Sequence, residues 1–233
     1  MNFSWDPTTI KWYQDANAYS QFFKNIADFI APSLNGYTTL CDIGCGLGLI
    51  DLELSKHIDH ITCIDINEFA LNSLKTTIAK QRITNIEPRL LNCDDIQNTW
   101  DVIYTSFFGS REPEKFLPYC RKQISVVNQK SANHSSIEKY KSFHKNTCDL
   151  VAAALDKKRI PYSVTEITFE FGQPLASFEE GKHFVRKNYP KVTEADLHRF
   201  LSQNLVETNQ TDYPFYLPKK KSLGIFEIEG RCQ

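Results

Sequence analysis

Hydrophobic and polar positions change period several times along the chain, and each change marks an element. Between residues 8 and 34, Trp12, Tyr13, Ala16, Tyr19, Phe22, Phe23, Ile26 and Ile30 recur mostly at three- and four-residue steps. That spacing predicts one or two helices, stopped by Pro32 and Asn35-Gly36. The apolar run Leu40-Cys41-Asp42-Ile43 reads as a buried strand. Gly44, Gly46 and Gly48 follow, and a helix is predicted over 48–57. A second strand is expected at 60–65. A helix over 67–80 then turns Phe69, Leu71, Leu74 and Ile78 toward the core.

Further strands are predicted at 86–93, 100–104 and 123–128, with a short helix at 112–119. A long helical pattern covers 136–157, and 163–171 alternates like a strand with one exposed face. Two more helical patterns, 177–188 and 194–205, precede strands at 213–217 and 222–228. The lysine run 219–221 reads as a solvated hairpin turn. Strands separated by helices argue an α/β, doubly wound sheet with helices on both faces. A chain of 233 residues suits one domain with such a core.

Composition narrows the function classes. The net charge is −1, which supplies no broad electrostatic reason to bind nucleic acid or an anionic membrane. No apolar run approaches the roughly 20 residues of a membrane-spanning helix. The first residues lack a basic stretch followed by an apolar one, so no signal peptide is expected and a cytoplasmic location is. The seven cysteines include no C-x-x-C pair and read as small buried hydrophobes in a reducing compartment, with no metal site.

The glycine corner carries the chemistry. Glycine is needed where the backbone takes positive φ or where a ligand must touch main chain. A dinucleotide fingerprint is G-x-G-x-x-G, and its third glycine would fall at Leu49. The spacing here is G-x-G-x-G. Asp42, two residues before it, is awkward for a pyrophosphate and suited to a cation. These features speak against a nicotinamide dehydrogenase.

The stretch Asp42-Ile43-Gly44-Cys45-Gly46-Leu47-Gly48 resembles motif I of the class I S-adenosylmethionine-dependent methyltransferases. The resemblance covers about residues 38–130. It implies a seven-stranded Rossmann-like sheet of order 3-2-1-4-5-7-6, with strand 7 antiparallel and S-adenosyl-L-methionine as cofactor. Gly44, Cys45, Gly46 and Gly48 would line the cofactor, with Asp42 beneath. Asp65, closing the second strand, can accept both ribose hydroxyls, or instead cap the following helix. The resemblance assigns it to the ribose and Ile66 to the adenine face. It also gives Asp94, or its neighbour Asp95, to the adenine amino group.

Ser106 would stand at the cofactor edge. Residues 1–36 would form a helical lid that brings in Tyr13, with Tyr19 a second candidate. The segment 172–212, a helical insertion leaving strand 6 at the same rim, would cap the pocket. The acceptor expected is a small molecule, with no nucleic acid. The segment Thr105-Ser-Phe-Phe108 departs from the Asn/Asp-Pro-Pro-aromatic tetrapeptide of enzymes that methylate exocyclic base amines. His134 is the candidate base or acceptor ligand, and Arg111 the candidate clamp for an acceptor carboxylate. An RNA or protein methyltransferase, or a non-catalytic cofactor-binding module, is the alternative.

Overall fold

The computed structural model describes residues 5–110, 112–130, 137–140 and 146–232. Its main sheet has seven strands in the order β3-β2-β1-β4-β5-β10-β6. These are β1 (Thr39–Ile43), β2 (His60–Asp65), β3 (Ile86–Leu90), β4 (Trp100–Ser106), β5 (Cys120–Asn128), β6 (Tyr162–Glu170) and β10 (Lys220–Glu229). Neighbours from β3 through β5 pair parallel, while β10 runs antiparallel to both β5 and β6. Counted within this sheet, β10 is the seventh strand, so the order is the expected 3-2-1-4-5-7-6. The strand order reverses between β1 and β4, which opens a crevice beyond their carboxyl ends.

The N-terminal pattern resolves into two helices, α1 (Pro7–Ser20) and α2 (Phe22–Ile30). Asp6 caps α1 by accepting the Thr9 N–H at 3.0 Å, and Pro7 starts it without losing a hydrogen bond. Gln21, with φ of 55°, breaks the run. Helix α2 then buries Phe22, Phe23, Ile26, Ala27 and Ile30. Asn67 caps α4 (Glu68–Gln81) by accepting the Ala70 N–H at 3.1 Å.

Two predicted helices are shorter than their periodicity suggests. The helix expected over 48–57 is a single turn, α3 (Asp51–Leu54). Gly48, at φ of 61°, belongs to the turn before it, and residues 49–50 are turn as well. Within the pattern at 136–157, α5 spans Cys148–Lys157. It begins there because Thr147 is extended and bridges Asn128 of β5. Part of that pattern lies outside the described residues. Strand β3 ends at Leu90, ahead of a 3-10 turn at Cys93–Asp95.

The insertion after β6 is not purely helical. Its helices α6 (Phe178–Asn188) and α7 (Glu194–Asn204) join a small antiparallel sheet. That sheet has β7 (Gln173–Leu175), β8 (Val206–Glu207) and β9 (Phe215–Leu217) in the order β7-β9-β8. Leu175, Val185, Leu197, Phe200, Leu201 and Leu217 form a separate core that also takes in Ile137. The insertion leans on α1. The indole N–H of Trp12 donates to Glu180 at 2.9 Å, and Tyr19 stacks on Tyr216 at 4.6 Å. Tyr19 therefore faces the insertion. The lysine run is a solvated turn only in part, with Lys219 exposed in the connection between β9 and β10. Lys220 and Lys221 begin β10, opposite Glu170 and Phe169 of β6, because strand pairing continues through them.

Asp101 pins the amino ends of β1 and β4 together. Its Oδ2 accepts from the N–H groups of Thr38 and Thr39 at 2.9 and 3.0 Å, and from both hydroxyls at 3.0 and 3.1 Å. Burial pushes this carboxyl up, but these donors and Arg121 together hold it well below the usual carboxylate range. Its stabilising effect is therefore complete above the ordinary carboxylate pKa and drains away as pH falls toward its own depressed value. Replacing Asp101 by Ala is expected to cost about 2–3 kcal/mol in urea unfolding at pH 7, with a smaller loss at low pH.

Candidate cofactor and acceptor site

The glycine turn joins β1 to α3 at the crevice. Gly44, Gly46 and Gly48 hold φ of 79°, 54° and 61°, where side-chain-bearing residues are strained. The N–H groups of Gly44 and Cys45 both donate to the Ile64 carbonyl, at 2.8 and 3.1 Å. One carboxylate then fixes the middle of the turn. Asp65 Oδ2 accepts the Gly46 N–H and Oδ1 the Asn67 N–H, each at 2.8 Å. The helix cap is thus Asn67, and Asp65 braces the turn. A carboxylate offers about four lone-pair positions, so both oxygens keep capacity for ligand hydroxyls. Ile66, next along, is 53% exposed at the rim.

Beneath the turn lie two buried acids. Asp42 and Asp51 are 1% and 0% exposed and adjoin each other, with the Cys63 thiol beside Asp51. Burial pushes Asp42 well above the usual carboxylate range, and the Asp51 charge pushes it further. Burial raises Asp51 as well, to about 6. Tyr104, opposite Asp42 in the sheet register, is fully buried as well, its hydroxyl near Ser106. Asp51 was legible only as an acid inside the apolar stretch Leu49-Ile50-Asp51-Leu52.

Strand β4 delivers Ser106 to the crevice, and the chain then makes a strained step. Phe107 has φ of 53°, a conformation costing a bulky residue about 1–3 kcal/mol. The step sends successive rings to different places. Phe108 packs on the glycine turn, where a Cβ on Gly44 would lie 2.8 Å from its ring. Phe107 faces Lys221, whose Nζ sits 3.3 Å from the ring centroid. Phe22 and Phe171 stand near the same ammonium, at 5.2 and 5.3 Å.

Trp5 lies over the turn, its indole 3.0 Å from where a Gly46 Cβ would be, and meets Tyr13 edge-on at 5.3 Å. Tyr13 also packs on Phe171 at 5.2 Å, and burial pushes its phenol well above the usual range. Asp94 and Asp95 are exposed on the 3-10 turn after β3, and Asp94 pairs with Lys115. Arg111 and His134 lie outside the described residues. The roles of Trp5, Lys221 and the Phe22–Phe171 wall were not foreseen, because their partners come from distant segments.

The donor types decide which nucleoside fits. A pyrophosphate placed on this turn would confront the buried acid Asp42 and the carboxylate of Asp65. S-adenosylmethionine presents an ammonium, a sulfonium, ribose hydroxyls and an adenine amino group, all matched to acidic acceptors. The residues present fit that group.

Comparison with known proteins agrees. Residues 25–105 match the family described as methyltransferase small domain. The chain is 31% identical over 96 residues to a probable cobalt-precorrin-6B C(15)-methyltransferase (decarboxylating) of Methanococcus maripaludis. That match covers 41% of this chain and 53% of the relative, so it spans about half of the relative's length. Among solved structures, a SAM-dependent methyltransferase from Aquifex aeolicus superposes with a TM-score of 0.54 at 16% identity, covering 97% of this chain and all of that one. Geranyl diphosphate C-methyltransferase from Streptomyces coelicolor, solved with S-adenosyl-L-homocysteine, gives 0.54 at 13% identity, covering 90% of this chain and 81% of that one. The matched region 25–105, the motif and the sheet order are similar to those of the class I, Rossmann-like S-adenosylmethionine-dependent methyltransferases, and S-adenosylmethionine is the cofactor that fits them.

The buried acids make stability depend on pH. Folded Asp51 releases its proton only near pH 6, against 3.8 for an ordinary aspartate. The folded state then holds a proton the unfolded chain has lost, so stability falls as pH rises through that window. An Asp51→Asn protein is expected to melt higher than wild type at pH 8 and to lose that part of the pH dependence. Thermal denaturation at pH 5 and pH 8 checks both.

Proposed function

We propose that this chain transfers a methyl group from S-adenosylmethionine to a small apolar molecule. The observation that carries this reading is the wall beyond β4. There Phe22, Phe107 and Phe171 surround a single lysine head, a few ångströms along the chain from the Ser106 end of the crevice. Such a surface suits a compact, largely apolar acceptor. It has little in common with the basic, phosphate-tracking groove of an RNA enzyme. The net charge of −1 and the Thr105-Ser-Phe-Phe108 segment favour the same reading. So do the relatives, whose names specify a precorrin and geranyl diphosphate.

When bound, S-adenosylmethionine supplies an electrophilic methyl, which bonds to the acceptor as the sulfur–carbon bond breaks and its electron pair returns to sulfur. The chain supplies position and a dry surround. Asp65 takes the ribose hydroxyls while still bracing Gly46. Gly44, Cys45, Gly46 and Gly48 offer close backbone, and the acids below the turn offset the ammonium. Ile66 covers the adenine, with Asp94 or Asp95 at its amino edge, which for Asp94 requires sharing with Lys115. Ser106 marks the methyl-bearing end. Trp5, Tyr13 and the N-terminal helices serve as a lid, and the 172–212 insertion as the cap braced on α1. Holding the reactants in line can contribute about 7–11 kcal/mol. Excluding water strengthens every charge interaction inside. Arg111 and His134 remain candidates for clamping the acceptor and taking a proton.

Two measurements test this. Purified protein incubated with methyl-labelled donor and a cell extract should put label into the low-molecular-weight fraction. Label confined to RNA or protein would sink the small-molecule reading. Asp65→Ala should weaken S-adenosylhomocysteine binding by about tenfold or more in calorimetric titration, since it removes both the ribose acceptor and the brace on the turn.

A further inference from the structure

Phe108 packs on the glycine turn and also lines a recess between β4, β5, α5 and the 3-10 segment Pro113–Tyr119. The recess offers about 30 Å³ to the centres of water-sized groups, against roughly 10–15 Å³ for one water. Phe108, Phe116, Val127 and Val151 give it an apolar body. Ser110 and the exposed Glu112, on the connection that leaves the rim after Phe108, form its outer wall. Three polar side chains stand inside. Gln123, Ser125 and Thr105 are 1%, 4% and 6% exposed, and Thr105 lies opposite Ser125 in the sheet register. The Gln123 amide is fixed in orientation, because its Nε2 donates to the Pro113 carbonyl at 2.7 Å and to the Ser125 hydroxyl oxygen at 3.0 Å. The Thr105 hydroxyl donates to the same oxygen at 2.9 Å. Ser125 Oγ thus receives two hydrogen bonds and has its own proton left to give. Gln123 Oε1 is buried without a hydrogen-bond partner among the described residues. A dry amide oxygen is costly until a donor meets it.

We propose that this recess is the subsite for a neutral hydroxyl group on an otherwise apolar acceptor, with Gln123 Oε1 receiving the hydroxyl proton and Ser125 donating to the hydroxyl oxygen. This rests on the small-molecule reading above. A hydroxyl brings one donor and two acceptor positions, the complement of what Gln123 and Ser125 leave open. A carboxylate brings acceptors only, so it would set oxygen against Gln123 Oε1 and charge against Glu112. An ammonium brings donors only, leaves the Ser125 proton unmet, and gives up its water to enter. The size suits an end such as a hydroxymethyl group, about two waters across in volume. Phe108 touches both the recess and the glycine turn, so a hydroxyl held in the recess lays the rest of the acceptor along that ring toward the cofactor's side. Gln123 and Ser125 act here as specificity-determining residues, with no proton transfer assigned to them.

The test uses the full chain saturated with S-adenosylhomocysteine and four probes of similar size: benzyl alcohol, its isomer anisole, benzoate and benzylammonium. Anisole keeps the oxygen and lacks the proton. In NMR titrations wild type should bind benzyl alcohol about tenfold or more tightly than anisole, with both charged probes weaker than the alcohol. Gln123→Leu should keep its S-adenosylhomocysteine affinity and lose the preference for the alcohol, and Ser125→Ala should narrow it. The wild-type ranking stands as a test of its own should Gln123→Leu fail to fold. Equal binding of alcohol and anisole, tighter binding of a charged probe, or a preference that survives in Gln123→Leu would each overturn the proposal. So would no binding of any probe, which would leave the recess to water alone. These results are separable from failure of the small-molecule reading, which is read from where the methyl label goes.

Discussion

The Asp65 carboxylate governs the shape of the rim. A turn with three glycines at positive φ has wide conformational freedom, and without an anchor it would not present one surface to a ligand. Asp65 supplies the anchor at the middle of the turn and, through its other oxygen, at the residue that caps α4. The Ile64 carbonyl completes it by receiving two N–H groups from the start of the turn. Hydrogen bonds to a charged acceptor contribute about 1.5–3 kcal/mol each, enough to select one conformation. The ends of β1 and β2, the turn and the start of α4 thereby become one unit, and the crevice beside β4 takes its outline from that unit.

Unfavourable features gather on the same rim. Two adjoining buried acids and a bulky residue at positive φ lie at the carboxyl ends of β1 and β4. The opposite end of the sheet shows the contrary habit, with Asp101 satisfied by threonine donors and Arg121. A fold can tolerate local cost where the surrounding packing over-determines the structure, and such sites concentrate where ligands are handled. The sheet behind them is well supported. Leu40, Ile43, Ile61, Val102, Ile103 and Ile124 are each fully buried.

The insertion after β6 has a different logic. It has a small sheet of its own and an apolar core shared with Ile137, and it reaches the rest of the molecule through α1 and through Tyr140, which bonds Asp196. Trp12 is the link, bonded to Glu180 and packed edge-on against Phe184 at 5.2 Å. The N-terminal helix is thereby clasped between the sheet side and the insertion. Elements remote in sequence, α1 and α6, answer to each other rather than to their chain neighbours.

The sequence by itself determined where the sheet's strands fall, the glycine turn and the kind of cofactor it suits, while the strand order came from the resemblance to the methyltransferases. Those features are local: apolar runs of strand length, alternate glycines, and an acid closing the second strand. It misjudged helix ends where a positive-φ glycine or a bridge to another strand intervened, as at Gly48 and Thr147. It read Lys221 as solvent-facing with the exposed Lys219 and Lys220, because charge predicts exposure until a neighbour supplies a reason for burial. Only the tertiary structure brought Lys221 against Phe107, set Asp42 and Asp51 in one dry space, and laid Trp5 over Gly46. Each of those pairings joins residues whose meeting depends on how the sheet twists and which segments cross its rim, and no period in the chain encodes that.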